Sequence, residues 1–279
     1  MKKLFALAAS LVFAAASCWA QERSTVRVPT PFVEGGAPVT LEMVIYKPGG
    51  SGPFPTVVFN HGSTGIGNNP ALFKETWAPE RLAGWFTQRG WLVAFPQRRG
   101  RGQSDGLYDE GFTPKREHYS CDPGLSLAGF EHALADIDAA VAWLQANPEV
   151  DTRRMEIAGH SRGGILAIAY AGTRPGVFRG AINFVGGWMS DQCPNRSADA
   201  INPVSFKRGA AFPHPTLWLY GEKDSFYAMA HSRMNFEAFT AAGGQGRFEA
   251  YTLAPGLNGH MLIVRQDLWG PAVEAYLGQ

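Results

Sequence analysis

The chemistry that the chain encodes most clearly centres on Ser161. This residue lies in the sequence Gly-His-Ser-Arg-Gly, residues 159–163, between an apolar segment that predicts a strand and one that predicts a helix. A serine at such a sharp strand-turn-helix junction is presented as a nucleophile, and flanking glycines let neighbouring backbones pass close to the turn. A bare Gly-x-Ser-x-Gly is also compatible with a structural turn. The strand before the serine and the small-residue helix after it favour the nucleophile.

A serine hydroxyl is a weak nucleophile near neutral pH, so it needs a base and an acid that orients the base. His260 follows the predicted last strand in a glycine-containing loop and is the candidate base. Asp224 follows the preceding predicted strand and is the candidate acid. Glu222 is the alternative acid, and we favour Asp224 because the turn from Gly221 needs a few residues to reach the histidine. His160 is expected to pack beside the nucleophile rather than act as the base.

Two backbone N–H groups are candidates for an oxyanion hole, which stabilises the charge that develops on a carbonyl oxygen during acyl transfer. Arg162 supplies the first, because it directly follows the serine. Ser63 supplies the second, from the loop His-Gly-Ser-Thr-Gly after a predicted strand, with Thr64 as the near alternative. The other interpretation of this loop is an ordinary glycine-rich connection.

The elements that must position these residues form an alternating pattern. From the third strand onward, strand segments alternate with helical segments, which predicts an α/β protein with a mostly parallel eight-stranded sheet and helices on both faces. The first two strands are expected to form an antiparallel edge. The predicted strands lie near Val26 and over residues 41–46, 56–60, 91–95, 155–158, 181–185, 216–220 and 248–253.

Residues 1–20 have the composition of a signal peptide. Two lysines precede an apolar run, and Cys18 and Ala20 offer small residues where a signal peptidase would cut. We therefore expect an exported protein, periplasmic or secreted, with residues 21–279 as a single domain. The apolar run is shorter than the roughly 20 residues of a spanning helix, so no membrane span is predicted. Anchoring as a lipoprotein through Cys18 is the minor alternative.

Composition argues against several classes of partner. The chain has 25 Lys and Arg residues against 24 Asp and Glu, and without Lys2 and Lys3 its formal charge is about −1. Such a balance gives no global field for nucleic acid or acidic membranes. The basic cluster Arg98, Arg99 and Arg101 is expected to be solvated or internally paired, and a carboxylate-binding site is the alternative. The sequence has no Cys/His/Asp cluster with metal-ligand spacing and no phosphate-binding loop, so we predict no metal and no cofactor.

The chain resembles the α/β-hydrolase superfamily, and within it the dienelactone-hydrolase-like and prolyl-oligopeptidase-like branch. The resemblance covers nearly the whole chain beyond about residue 40, and it rests on residues 96–104, 136–144, 150–155, 159–164, 221–224 and 259–260. It implies the α/β-hydrolase fold, with Ser161, Asp224 and His260 in the chain order that this fold uses. Gln97 stands where this family usually has Asp, which is expected to weaken the local pairing of that turn.

Two differences from these relatives shape the expected activity. Dienelactone hydrolase proper uses a cysteine nucleophile, so Ser161 argues against the lactone substrate. Prolyl-oligopeptidase-type peptidases carry a large propeller domain, for which the about 260 residues after the leader leave no room. The resemblance therefore implies a stand-alone serine esterase that cleaves small-molecule carboxylic esters. The alternatives are a peptidase acting on short peptides and an inactive binding protein on the same scaffold.

Cys121 and Cys193 remain once Cys18 leaves with the leader, and an oxidising compartment favours a disulfide between them. In the α/β-hydrolase layout that the resemblance implies, both lie in loops that leave the carboxyl ends of strands, at the same edge as Ser161. We therefore expect a disulfide beside or over the active site. Two separate buried thiols are the alternative.

Residues 100–130 and 186–213 are long enough to shape a substrate pocket. Trp188 is the candidate substrate contact, and Met189, Phe112 and Tyr119 could also supply apolar surface. Aromatic side chains on such loops serve packing more often than binding. We expect a carboxylic ester with a modest apolar acyl or alcohol part.

Overall fold

The computed structural model describes residues 21–65, 67–190, 193 and 197–278. The predicted signal peptide over residues 1–20, with Cys18, lies outside this part. Eight strands form one sheet: β1 Glu22–Glu34, β2 Ala37–Lys47, β3 Phe54–Asn60, β4 Leu92–Pro96, β5 Val150–His160, β6 Gly180–Phe184, β7 Thr216–Gly221 and β8 Gly246–Tyr251.

The strand order is β1-β2-β4-β3-β5-β6-β7-β8. The strands from β3 onward are parallel to their neighbours in the sheet, except where β4 meets β2. The pairs β1–β2 and β2–β4 are antiparallel. The predicted mostly parallel sheet with an antiparallel edge is therefore confirmed. This order places β5, which carries the Gly-x-Ser-x-Gly sequence at its carboxyl end, in the middle of the sheet.

Helices connect the strands and flank the sheet. They are α1 Pro70–Phe73, α2 Glu80–Thr87, α3 Pro123–Gln145, α4 Arg162–Thr173, α5 Ser197–Lys207, α6 Met229–Ala241 and α7 Gln266–Leu277. Every residue of β4, β6 and β7 is buried. A strand is buried along its whole length only when both sheet faces are covered, so the core lies on both sides of the sheet.

Glu156 is an exception to the apolar centre of β5. Its side chain lines a cavity of about 650 Å³ formed with residues that precede the parallel strands, such as Trp91 and His214. The residue is 7% exposed, and one carboxyl oxygen has no hydrogen-bond partner in the described part of the chain. Burial raises the pKa of this carboxyl to about 8, although Arg179 and Arg154 oppose the shift. The folded protein therefore favours the protonated form of Glu156.

We expect Glu156→Gln to stabilise the protein increasingly as the pH rises. The pKa of Glu156 is higher in the folded protein than in the unfolded chain. Its contribution to stability is therefore complete below the unfolded pKa and is lost as the pH rises towards about 8. The loss is about 1.4 kcal/mol for each pH unit between the two pKa values, and glutamine does not titrate.

Thermal unfolding from pH 5 to pH 9 measures this effect, with the exposed Glu75→Gln as the control. The difference in melting temperature between Glu156→Gln and wild type should grow with pH. A difference that stays constant over this range would contradict the assignment.

Candidate active site

Ser161 lies between the last residue of β5 and the first residue of α4. Its backbone has φ 57° and ψ −123°, a region that residues other than glycine rarely adopt. A Cβ on Gly62 would lie 2.9 Å from Cβ of Ser161, so the loop after β3 passes directly against the serine. The turn therefore presents Ser161 at the carboxyl edge of the sheet, facing the Gly62 loop.

Glycines make this turn possible because neighbouring backbones occupy the space of a side chain. A Cβ on Gly159 would lie 2.1 Å from the carbonyl oxygen of Gly163. A Cβ on Gly163 would lie 2.1 Å from the carbonyl oxygen of Asn60. Real Cβ atoms do not approach backbone this closely, so α4 can pack against β3 and β5 only if both positions are glycine.

His260 and Asp224 contact each other, although 36 residues separate them. Nδ1 of His260 lies 2.8 Å from Oδ2 of Asp224, and the Asp224 side chain is fully buried. The other carboxyl oxygen accepts from the backbone N–H groups of Phe226 and Tyr227, at 2.7 and 3.1 Å. A carboxylate at Nδ1 holds the proton there, which leaves Nε2 able to accept another proton.

Glu222, the alternative acid, does not contact the histidine in this way. Its carboxylate accepts a hydrogen bond from the hydroxyl of Thr252 at 2.7 Å, on the exposed side of the loop. The structure thus places Asp224, and not Glu222, against His260.

Ser161 and His260 line the same cavity, which has a volume of about 710 Å³. The cavity is mainly apolar because aromatic and aliphatic side chains form much of its wall: Trp77, Leu82, Tyr119, Trp188, Met189, Phe226, Tyr227, Met261, Ile263 and Val264. Such a concave apolar site with a few converging polar groups is typical of a small-molecule site.

The two candidate donors of an oxyanion hole lie on either side of Ser161. Arg162 is the first residue of α4, where backbone N–H groups have no partner within the helix. Ser63 follows Gly62 in the loop that contacts the serine. The N–H of Thr64, the near alternative, instead donates to the hydroxyl of Tyr119 at 3.3 Å. The geometry therefore favours Ser63 over Thr64.

A buried ion cluster, composed of Arg98, Glu110 and Arg162, lies behind the site. Nε of Arg98 donates to Glu110 at 2.5 Å, and a guanidinium nitrogen of Arg162 lies 3.3 Å from the same carboxylate. Burial alone would raise the pKa of Glu110, but the two guanidinium groups outweigh it and lower that pKa. The carboxylate therefore stays charged and joins the loop after β4 to the start of α4.

The side chain of Arg162 also lies between two predicted substrate contacts. Its guanidinium carbon is 4.0 Å from the ring centroid of Tyr119 and 4.4 Å from that of Trp188. Trp188 is 1% exposed, and its indole N–H donates to the carbonyl of Ser126 at 3.0 Å. Trp188 thus lines the cavity as a firmly packed wall. Phe112 is placed elsewhere, in a small cluster beside Phe73.

Cys121 and Cys193 form a disulfide, as predicted, with their Cα atoms 5.6 Å apart. Cys121 lies just before α3 and Cys193 lies in the segment between β6 and α5. Both residues line the cavity that holds Ser161. The disulfide therefore joins two loops at the wall of the candidate site.

The basic cluster after β4 is buried and largely internally paired, in agreement with one of the two expectations. Arg98 pairs with Glu110, and Nε of Arg99 pairs with Asp136 at 2.7 Å. Arg101 lines the cavity and is 5% exposed, and its Nε has no hydrogen-bond partner among the described residues.

The Gln97 side chain pairs with residues outside its own turn, so the expectation of weaker pairing within the turn stays a prediction. Its side-chain oxygen accepts from the N–H of Trp77 at 2.8 Å, and its NH₂ group donates to the carbonyls of Trp77 and Phe95 at 2.9 and 3.1 Å. An aspartate could not donate to these carbonyls. The glutamine therefore holds the backbone of a residue that forms the cavity wall.

Sequence reasoning missed the contributions of Trp77 and Asn258. Trp77 lies in a loop between α1 and α2 without any motif, so nothing in the sequence indicates that it reaches the cavity. The side chain of Asn258 accepts from the N–H of His260 at 3.0 Å and from that of Ser225 at 3.1 Å. Its position two residues before the histidine, in a glycine-containing loop, was the available signal.

Within the described residues there is no group of three or more His, Cys, Asp or Glu side chains arranged to hold a metal ion. In the same part of the chain, no helix combines the length and the apolar composition needed to cross a membrane.

The chain is similar in sequence and in structure to several known hydrolases. Over 252 residues the chain is 28% identical to poly(3-hydroxyalkanoate) depolymerase C of Paucimonas lemoignei, covering 83% of this chain and 56% of that protein. The chain thus spans little more than half of that relative.

Two solved structures share the fold. An esterase from Pyrococcus furiosus superposes with a TM-score of 0.63 at 17% identity, over 92% of each chain. An acylaminoacyl peptidase from Pyrococcus horikoshii superposes with a TM-score of 0.60 at 16% identity, over 89% of this chain and 39% of that one. The model of the dienelactone hydrolase family matches residues 41–256. The protein therefore belongs to the dienelactone hydrolase family and has the α/β-hydrolase fold.

Proposed function

We propose that the protein is an exported serine hydrolase that cleaves carboxylic esters through an acyl-enzyme intermediate. The observation that carries this proposal is the contact of His260 with the buried carboxylate of Asp224, with His260 lining the same cavity as the strained turn of Ser161. Acyl transfer needs a nucleophilic serine, a histidine oriented by a carboxylate and backbone N–H donors beside the serine.

In the proposed mechanism, Oγ of Ser161 attacks the ester carbonyl carbon while Nε2 of His260 takes the hydroxyl proton. The tetrahedral intermediate then collapses, its C–O bond breaks, and the alcohol leaves with the proton from His260. Water attacks the resulting acyl-serine, His260 again moves the proton, and the acid is released. Asp224 stabilises the imidazolium that forms in both steps.

The oxyanion of each tetrahedral intermediate is assigned to the backbone N–H groups of Ser63 and Arg162. Ser63 is supported by the contact of its loop with the nucleophile and by the engagement of the neighbouring Thr64 N–H with Tyr119. Arg162 is supported by its place at the start of α4, where N–H groups point towards a developing negative charge.

Esters are favoured over peptides by the comparison with the depolymerase, whose named substrate is a polyester. The apolar wall of the cavity agrees with an ester that has a modest apolar acyl or alcohol part. Activity on short peptides is the alternative, because an acylaminoacyl peptidase shares the fold. Trp188 is assigned to the wall that limits the substrate.

Export is proposed together with a signal peptide over residues 1–20 and a single mature domain from residue 21. The disulfide of Cys121 and Cys193 supports this assignment, because structural disulfides persist mainly in oxidising compartments. We propose a periplasmic or secreted location.

Ser161→Ala should lower kcat/KM for short p-nitrophenyl esters by about a thousandfold or more, because the acyl-enzyme can no longer form. Hydrolysis rates across acyl chain lengths measure the effect, with the exposed Ser24→Ala as the matched control.

Oligomers of 3-hydroxybutyrate and peptide p-nitroanilides distinguish a polyester or peptide preference. Equal activity in wild type and Ser161→Ala would remove the proposed nucleophile. Failure of wild type to react with a phosphonylating probe would favour the inactive binding protein.

Asp224→Asn should lower kcat by about a thousandfold, because an amide can donate to Nδ1 of His260 and impose the wrong tautomer. Glu222→Gln on the same loop is the matched control and should keep kcat within about twofold of wild type. Steady-state kinetics on the best p-nitrophenyl ester measures both variants. A larger loss in Glu222→Gln than in Asp224→Asn would reverse the assignment of the acid.

A further inference from the structure

His160 makes a direct connection between the serine turn and the loop of His260. Its Nε2 lies 3.0 Å from the backbone carbonyl oxygen of His260. A carbonyl oxygen can only accept a hydrogen bond, so Nε2 of His160 must carry the proton. His160 is the last residue of β5 and directly precedes Ser161 in the chain.

The surroundings of His160 keep its ring neutral. Burial lowers its pKa to about 3, and the nearby His260 lowers it as well, while the hydrogen bond to the carbonyl and the charge of Asp224 oppose the shift. The ring centroids of His160 and His260 are 4.9 Å apart. A positive charge on His160 would therefore oppose protonation of His260, and the neutral ring removes this conflict.

The ring of Trp77 lies near the ring of His160. The two rings are nearly parallel, at an interplanar angle of 8° and a centroid distance of 6.4 Å. The backbone of Trp77 is held at both its N–H and its carbonyl by the buried side chain of Gln97. A ring whose backbone is fixed in this way therefore lies parallel to His160 at the cavity wall.

The hydrogen bond from His160 completes the restraints on His260. The side chain of Asn258 accepts from the backbone N–H of His260, and Asp224 contacts its Nδ1. The carbonyl is the remaining backbone polar group of His260, and His160 binds it.

We propose that His160 is a positioning residue that sets the distance between the nucleophile and the base by tethering the backbone of His260 to the turn of Ser161. This inference rests on the proposed serine hydrolase function. A direct tether matters because catalysis by a serine and a histidine depends steeply on their separation, and displacements of about 1 Å can cost a hundredfold.

His160→Phe removes the donor but keeps an aromatic ring against Trp77, whereas His160→Gln keeps an N–H donor. We expect His160→Phe to lower kcat for p-nitrophenyl acetate at least about tenfold with KM within about threefold, and His160→Gln to recover most of this loss. The rate at which diethyl p-nitrophenyl phosphate phosphorylates Ser161, with release of p-nitrophenolate, should fall by a similar factor. His214→Phe is the matched control, because His214 lines the separate cavity beside Glu156.

A kcat for His160→Phe within twofold of wild type would overturn the inference. So would a loss in His160→Gln as large as that in His160→Phe, since the donor would then be irrelevant.

If His160→Phe does not fold, nitrogen-detected NMR of histidine-labelled wild type tests the contact on which the inference depends. The expected result is a neutral His160 ring protonated at Nε2 down to about pH 4. A neutral ring protonated at Nδ1 alone would overturn the inference, because Nε2 could then not donate to the carbonyl.

These measurements separate the inference from the proposed function. Wild type that neither hydrolyses esters nor reacts with diethyl p-nitrophenyl phosphate contradicts the serine hydrolase, and the NMR tautomer still tests the contact. Active wild type that loses activity in Ser161→Ala, combined with unchanged kinetics in His160→Phe, overturns the positioning role alone.

Discussion

Between β5 and α4 the backbone turns at Ser161 with a φ of 57°, a conformation that costs on the order of 1–3 kcal/mol and persists only where the surroundings impose it. Hydrogen bonds hold both ends of this residue: its N–H donates to Phe184 of β6, and its carbonyl accepts from Gly164 of α4. Gly159 and Gly163 have no side chains, so the helix can pack close enough for these bonds. The position of the helix, of the Gly62 loop and of the cavity all follow from this turn.

Loops from distant parts of the chain depend on the same turn through Arg162. Its guanidinium donates to the carbonyls of Glu110 and Trp188, at 2.8 and 3.1 Å, and these residues belong to the two long loops that form the cavity wall. The disulfide joins the same two loops at Cys121 and Cys193. An ion cluster and a covalent bond thus fix the wall relative to the residue that follows Ser161. The buried cations are tolerated because Glu110 and the carbonyl oxygens surround them.

His260, the proposed base, is held by groups from three separate segments, as expected for a residue on a loop. Asp224 follows β7, Asn258 precedes the histidine, and His160 ends β5. Loops tolerate motion because little of their backbone is paired, so a residue that must keep its position needs side-chain partners. For His260 these partners engage the ring, the N–H and the carbonyl.

The sequence by itself determined the eight strands, their mostly parallel arrangement and the identities of Ser161, Asp224 and His260 as candidates, because hydrophobic periodicity and strand-loop boundaries are local properties. The family assignment rests on a match over residues 41–256, which includes Ser161 and Asp224 and ends before His260. Only the tertiary structure decided that Asp224 contacts His260 and that the N–H of Thr64 is already bound. It alone also showed that Gln97, Trp77 and His160 lie around the site. Such contacts join residues distant in the chain, and their distances depend on how loops pack, which periodicity and spacing do not encode.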